Sequence, residues 1–145
     1  MSGTTLLIIA AVFDFILALL HVAMLPYGSR AYAYFDAGEW MVSQAKAGSS
    51  LPHLMTLGVA TVLTLFGVYA LSGAGAIPPW PFLRLALVVL SGIYILRGLV
   101  FLPQLVMLAR KSTRFSPKDV GFSLTSLVVG LLHGTGTLAV WESLP

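Results

Sequence analysis

A chain of 145 residues has room for one domain, and its 58% hydrophobic against 9% charged residues set it apart from water-soluble globular proteins, where about 45–50% and about 25% are usual. The formal charge of +3 comes from eight Lys and Arg against five Asp and Glu, and because the basic residues stand beside apolar segments they read as topology signals, not as a nucleic-acid footprint. Cysteine is absent, which excludes disulfides, thiolate metal sites, iron–sulfur clusters and cysteine nucleophiles.

A membrane-crossing helix needs about 20 mainly apolar residues, and four such stretches occur, near 5–25, 53–72, 82–105 and 119–141. The opening Met1-Ser2-Gly3-Thr4-Thr5 lacks the positive region of a signal peptide, and the run behind it is long and contains Asp14. It is therefore expected to stay as the first membrane helix. The fold class that follows is all-α: a bundle of four transmembrane helices in a single domain over 1–145, with a short interfacial amphipathic helix between helices 1 and 2.

The loop after the first stretch, 26–52, is polar and aromatic, and its segment from Phe35 to Lys46 has the pattern of a helix lying along the membrane surface. It reads either as a plain interfacial anchor or as a lid over a cavity. Ser49-Ser50 marks the entry into the second stretch. The loop at 72–81 carries no charge, whereas the one at 106–118 holds Arg110, Lys111, Arg114 and Lys118, and the first loop holds Arg30 and Lys46. The positive-inside bias places both basic loops in the cytoplasm of a bacterial inner membrane and both termini outside. Trp80, Phe82 and Trp141 fall at the expected outer interface, and Tyr27, Tyr32, Tyr34 and Trp40 near the inner one. Ser116, Pro117 and Asp119 mark the start of the fourth stretch. Helix one ends in Leu25-Pro26 and helix three in Leu102-Pro103, a faint sign of two repeated hairpins.

Ionisable side chains within the bilayer are costly, so each is a functional candidate that needs a partner. Asp14 lies near the middle of helix one, and His21 seven residues further along the same face, roughly 10 Å away. His133 on helix four falls close to the depth of Asp14, which makes Asp14 and His133 the first expected pair. Arg97 lies near the level of His21, His53 opens helix two, and Glu39 is the carboxylate best able to fold back toward this inner group. An Asp–His pair at mid-depth could share a proton or do acid–base work; the bland alternative is that Asp14, His133 and Thr135 only hydrogen-bond across helices as packing glue. Arg97 reads as a counter-ion for Asp14 or an anionic head group, or as a snorkelling side chain. Arg84 and Glu142 both fall near the outer surface, where a rim salt bridge between them would be worth little. Gly130 and Gly134, Gly58 and Ser91-Gly92 read as close-packing sites, the first pair also opening the backbone near His133 and Thr137 to a ligand or water. No His-x-x-His or Glu-x-x-His spacing supports a metal or haem, so no metal and no cofactor is expected.

The run Tyr34-Phe35-Asp36-Ala37-Gly38-Glu39-Trp40, with Gly67 to Gly75 closing the second helix, resembles small uncharacterised four-helix inner-membrane proteins of bacteria, a resemblance that implies a fold and no activity. Families that depend on an asparagine or on cysteines are excluded, since this chain has neither. The leading expectation is a protein that binds a hydrophobic or amphipathic, lipid-like small molecule, or passes protons, at an intramembrane polar cluster of Asp14, His133, His21, Arg97, Glu39 and His53. A membrane enzyme acting on a lipid or isoprenoid by acid–base chemistry and a non-catalytic subunit or scaffold are the alternatives. Membrane lipid and a small hydrophobic ligand are the expected partners, nucleic acid is not, and the limited internal volume favours a homo-oligomer.

Overall fold

In a computed structural model, residues 1–111 and 116–145 are described, and their regular structure is helical throughout. The helices are α1 (Gly3–Met24), α2 (Ser29–Tyr34), α3 (Glu39–Lys46), α4 (Leu51–Gly73), α5 (Leu83–Leu99), α6 (Phe101–Ala109) and α7 (Pro117–Val140), with single 3-10 turns at Leu25–Tyr27 and Trp141–Ser143. Four spans, Gly3–Tyr27, Leu51–Gly73, Leu83–Ala109 and Pro117–Ser143, are long and apolar enough to cross a membrane. At 1.5 Å per residue each exceeds a hydrocarbon core of about 30 Å. The fourth is the least apolar, with a mean hydropathy of 1.4 against 2.6 for the first. The chain is thus built as a multi-pass membrane protein.

Two compact units divide the chain: Met1–Ala11 with Val68–Pro145, and Val12–Gly67. In the first, α5 and α7 run antiparallel in close contact. Lipid offers no hydrophobic drive between helices, so close approach through small residues must hold them. A Cβ on Gly98 would lie 2.5 Å from the Leu127 Cα, and one on Gly130 would lie 2.7 Å from the Ile95 nitrogen. The start of α1 packs on the end of α7 in the same way, Gly136 lying against Leu7 and Gly3 against Ala139. Leu7, Leu83, Leu87 and Leu144 form a buried apolar cluster there, flanked by Tyr69, Ala74, Val140 and Trp141. Gly58 and Gly92, expected to pack closely, have nothing within 4 Å of a would-be Cβ, and Gly134 only ordinary contacts with Ile95 and Ser91. Glycine content located the packing helix, but only Gly130 and Gly136 of its glycines make the close approaches.

The third span differs from its expected single helix. It is interrupted at Val100, between α5 and α6, because Pro103 has no N–H to return to the Leu99 carbonyl. Leu102-Pro103 therefore lies inside α6 and does not end a helix, so the expected likeness to Leu25-Pro26 is lost. The fourth starts as expected: the Asp119 carboxylate accepts from the Ser116 backbone N–H at 2.6 Å and from its hydroxyl at 2.9 Å. The Ser72 hydroxyl organises the uncharged loop, donating to the Pro78 carbonyl and accepting from the Trp80 N–H.

In the second unit the surface helix expected from Phe35 to Lys46 is found over Glu39–Lys46 alone. Asp36 at φ 52° and Gly38 at φ 95° interrupt it, since positive φ is incompatible with a continuing right-handed helix. Ser29–Tyr34 forms a further short helix. Tyr27, Tyr34 and Trp40 are exposed, as interfacial anchors would be, but Tyr32 is fully buried. Its ring stands edge-on to His53, 6.1 Å between centroids. The Thr56 hydroxyl gives its single proton to the Pro52 carbonyl at 2.8 Å, so the phenol, 3.2 Å away, is the donor to Thr56. Phe15 lies across Gly67, where a Cβ would meet its ring at 2.8 Å. Of the basic loop at 106–118, Arg114 lies outside the described residues.

Candidate functional site

The α5–α7 seam carries a polar layer between its apolar contacts. The His133 imidazole, fully buried on α7, stacks on the Tyr94 ring of α5 with 5.7 Å between centroids and 9° between planes. Ser91, one turn before Tyr94, is buried and donates to the Leu87 carbonyl at 2.6 Å. Thr137, one turn after His133, is 3% exposed, and its hydroxyl oxygen has no hydrogen-bond partner among the described residues. A helical Ser or Thr ordinarily bonds back to the carbonyl four residues earlier, as Thr56, Thr61, Thr64, Ser91, Thr125, Ser126 and Thr135 all do. Thr137 departs from that rule. A buried hydroxyl left unbonded costs about 1–3 kcal/mol, and that penalty disappears when a molecule with a polar group sits beside it.

The same seam bears a second polar feature nearer the start of α7. The Arg97 guanidinium donates to the buried Ser123 hydroxyl at 2.8 Å. Beyond it on α6 is Gln104, buried, whose amide oxygen is unpartnered among the described residues.

The remaining expected residues are placed as follows. Asp14 is fully buried on α1; it belongs to the second unit and His133 to the first. His21 Nδ1 lies 2.8 Å from the Leu17 carbonyl and His53 Nε2 lies 3.2 Å from that of Leu25. A carbonyl only accepts, so these ring nitrogens carry the protons, and both histidines secure the end of α1. Glu39 is exposed on α3 and lines an open groove of about 410 Å³ with Tyr32, Asp36, Ser43 and Lys46. No rim bridge joins Arg84 and Glu142 among the described residues: Arg84 donates to the Leu144 carbonyl at 2.5 Å and stacks on Trp141, its guanidinium carbon 5.3 Å from the ring centre. Those two contacts spend its planar fork on a chain end that Glu142 only flanks. Sequence reading missed Tyr94 and Ser123, and took Ser91 only as a close-packing position. Tyr94 could have been found, because tyrosines concentrate at the membrane interfaces and one amid an apolar span, far from either, stands out.

Among the described residues no group of three or more His, Asp or Glu side chains is placed to hold a metal ion. Compared with protein-family models, curated proteins and solved structures, the chain matches none.

Proposed function

We propose that this chain is a bacterial inner-membrane protein, with its basic loops in the cytoplasm and its termini outside, that binds a hydrophobic or amphipathic small molecule through a polar layer inside the membrane. The apolar body of the ligand lies among the α5 and α7 side chains, and its polar group meets Thr137 beside His133. The observation that carries this reading is the buried, unbonded Thr137 hydroxyl one turn from a fully buried histidine.

A ligand role and a packing role differ in the sign of one substitution. Thr137→Val removes the unsatisfied hydroxyl at nearly constant volume, so in protein stripped of small molecules it should leave stability unchanged or raise it by about 1 kcal/mol. In protein unfolded from its native membrane extract it should lower stability, because a molecule bound only by the folded state adds to its stability. Thr137→Val that is neutral or stabilising in both preparations would leave only the packing role.

A second reading is favoured by Asp14, a carboxyl group fully buried in an apolar helix. As a titratable group within a membrane span it would pass protons, or act as an acid–base group on a lipid or isoprenoid. Asp14→Asn keeps the shape and removes the titrating proton. Proteoliposomes carrying it should lose the proton flux seen with the unaltered chain; equal flux would sink this reading.

A further inference from the structure

Arg97 is exposed on α5 in the middle of a candidate membrane span. A bare guanidinium facing hydrocarbon is too costly to persist without relief. One relief is visible in its direction. Gly98 lies against Leu127, yet the Arg97 head reaches Ser123, four residues or about 6 Å nearer the start of α7. The side chain thus runs toward the membrane boundary, as a snorkelling arginine does.

Ser123 stands six residues after Pro117, so the guanidinium is held about 9 Å from the start of α7. The Pro117–Ser143 span of 27 residues is about 40 Å long and exceeds a core of about 30 Å by about 5 Å at each end. The charge therefore rests within about one helical turn of the hydrocarbon boundary, close enough to meet a phospholipid phosphate drawn slightly inward. Ser123 takes one of the five N–H donors of the guanidinium, which leaves the rest of the fork for an anion.

The surroundings indicate what kind of anion. Ile93 and Leu96 on α5, and Val100 just beyond its end, flank Arg97 and are 48%, 70% and 40% exposed. A free phosphate gains nothing from that surface, whereas an acyl chain does. Arg110, Lys111 and Lys118, at the same end of the first unit and exposed, add to the attraction for a negatively charged head group. We infer that Arg97, positioned by Ser123, binds the phosphate of an anionic phospholipid whose acyl chain lies along the Ile93–Leu96–Val100 strip. The site is about 21 Å along α7 from Thr137 and does not rest on the small-molecule reading.

The test uses the full chain in mild detergent, titrated with phosphatidylglycerol, phosphatidylcholine or inorganic phosphate and read by native mass spectrometry. The chain should retain one phosphatidylglycerol, with phosphatidylcholine held about tenfold more weakly, and R97Q should lose about tenfold in retention, as expected for one charge-assisted contact. Thr137→Val should retain the lipid as the unaltered chain does. Undiminished retention by R97Q overturns the proposal, as does equal retention of the two lipids. Displacement of phosphatidylglycerol by millimolar inorganic phosphate would reassign the site to a free anion and overturn it equally. Should R97Q fail to fold, R97K keeps the charge and loses the fork, and should still retain the lipid about threefold less; unchanged retention by R97K then overturns the assignment.

Discussion

His133 and Tyr94 lie ring over ring on two antiparallel helices, their planes within 9° of parallel. Aromatic pairs of this kind contribute about 0.5–1.5 kcal/mol beyond the area they bury. Tyr94→Phe keeps the ring, whereas Tyr94→Leu removes it, so the leucine variant should be less stable than the phenylalanine variant by about 1 kcal/mol in detergent-driven unfolding. Equal stabilities would mean that the two rings are neighbours without coupling.

The helix seam makes a sharper prediction because its sign changes with position. Gly98→Ala would force a methyl group into the Leu127 backbone, and Gly130→Ala into that of Ile95. Backbone cannot give way as a side chain does, and each should lose about 1–3 kcal/mol. Gly92→Ala meets nothing within 4 Å and should gain about 0.5–1 kcal/mol from helix propensity. Detergent-driven unfolding of the three variants checks the contrast.

Much of this architecture is legible in the sequence, for a physical reason. Hydrocarbon forces backbone groups into helices, so four long apolar stretches already imply four spans, and Ser116 with Asp119 marks where one begins. What is not legible is which face each helix turns inward. The glycine count of α7 does not say that Gly130 packs closely while Gly134 makes only ordinary contacts, and although Gly38 is a breaker signal, the amphipathic pattern from Phe35 to Lys46 does not say that Asp36 also takes a positive φ. The candidate site is legible in part. Cost singles out Asp14 and His133, since both are ionisable, whereas Thr137 enters the sequence reading only as a neighbour of the glycine pair, and its hydroxyl stands out once it is found without the back-bond that Thr135 makes.

Tyr32 ties the short helix α2 to α4 through Thr56. Tyr32→Phe removes that bond while Thr56 keeps the Pro52 carbonyl as acceptor. A loss of about 1 kcal/mol is expected, together with faster amide exchange across Ser29–Tyr34. Exchange unchanged there would show that the phenol contributes no more than its ring.

The Asp119 carboxylate satisfies two donors at the start of α7. Asp119→Ala should lower stability by about 1 kcal/mol and raise amide exchange in the first turn, leaving the turns around Gly130 and His133 untouched. Protection lost along the whole of α7 would contradict this local role.

The most direct measurement on the central claim is native mass spectrometry of the full chain and its Thr137→Val variant, each extracted in a mild detergent. A ligand-binding polar layer predicts one stoichiometric organic species, other than phospholipid, on the unaltered chain and its loss from the variant. A chain that carries no such species, or a species held equally by both, would contradict the claim that Thr137 and His133 form a binding site.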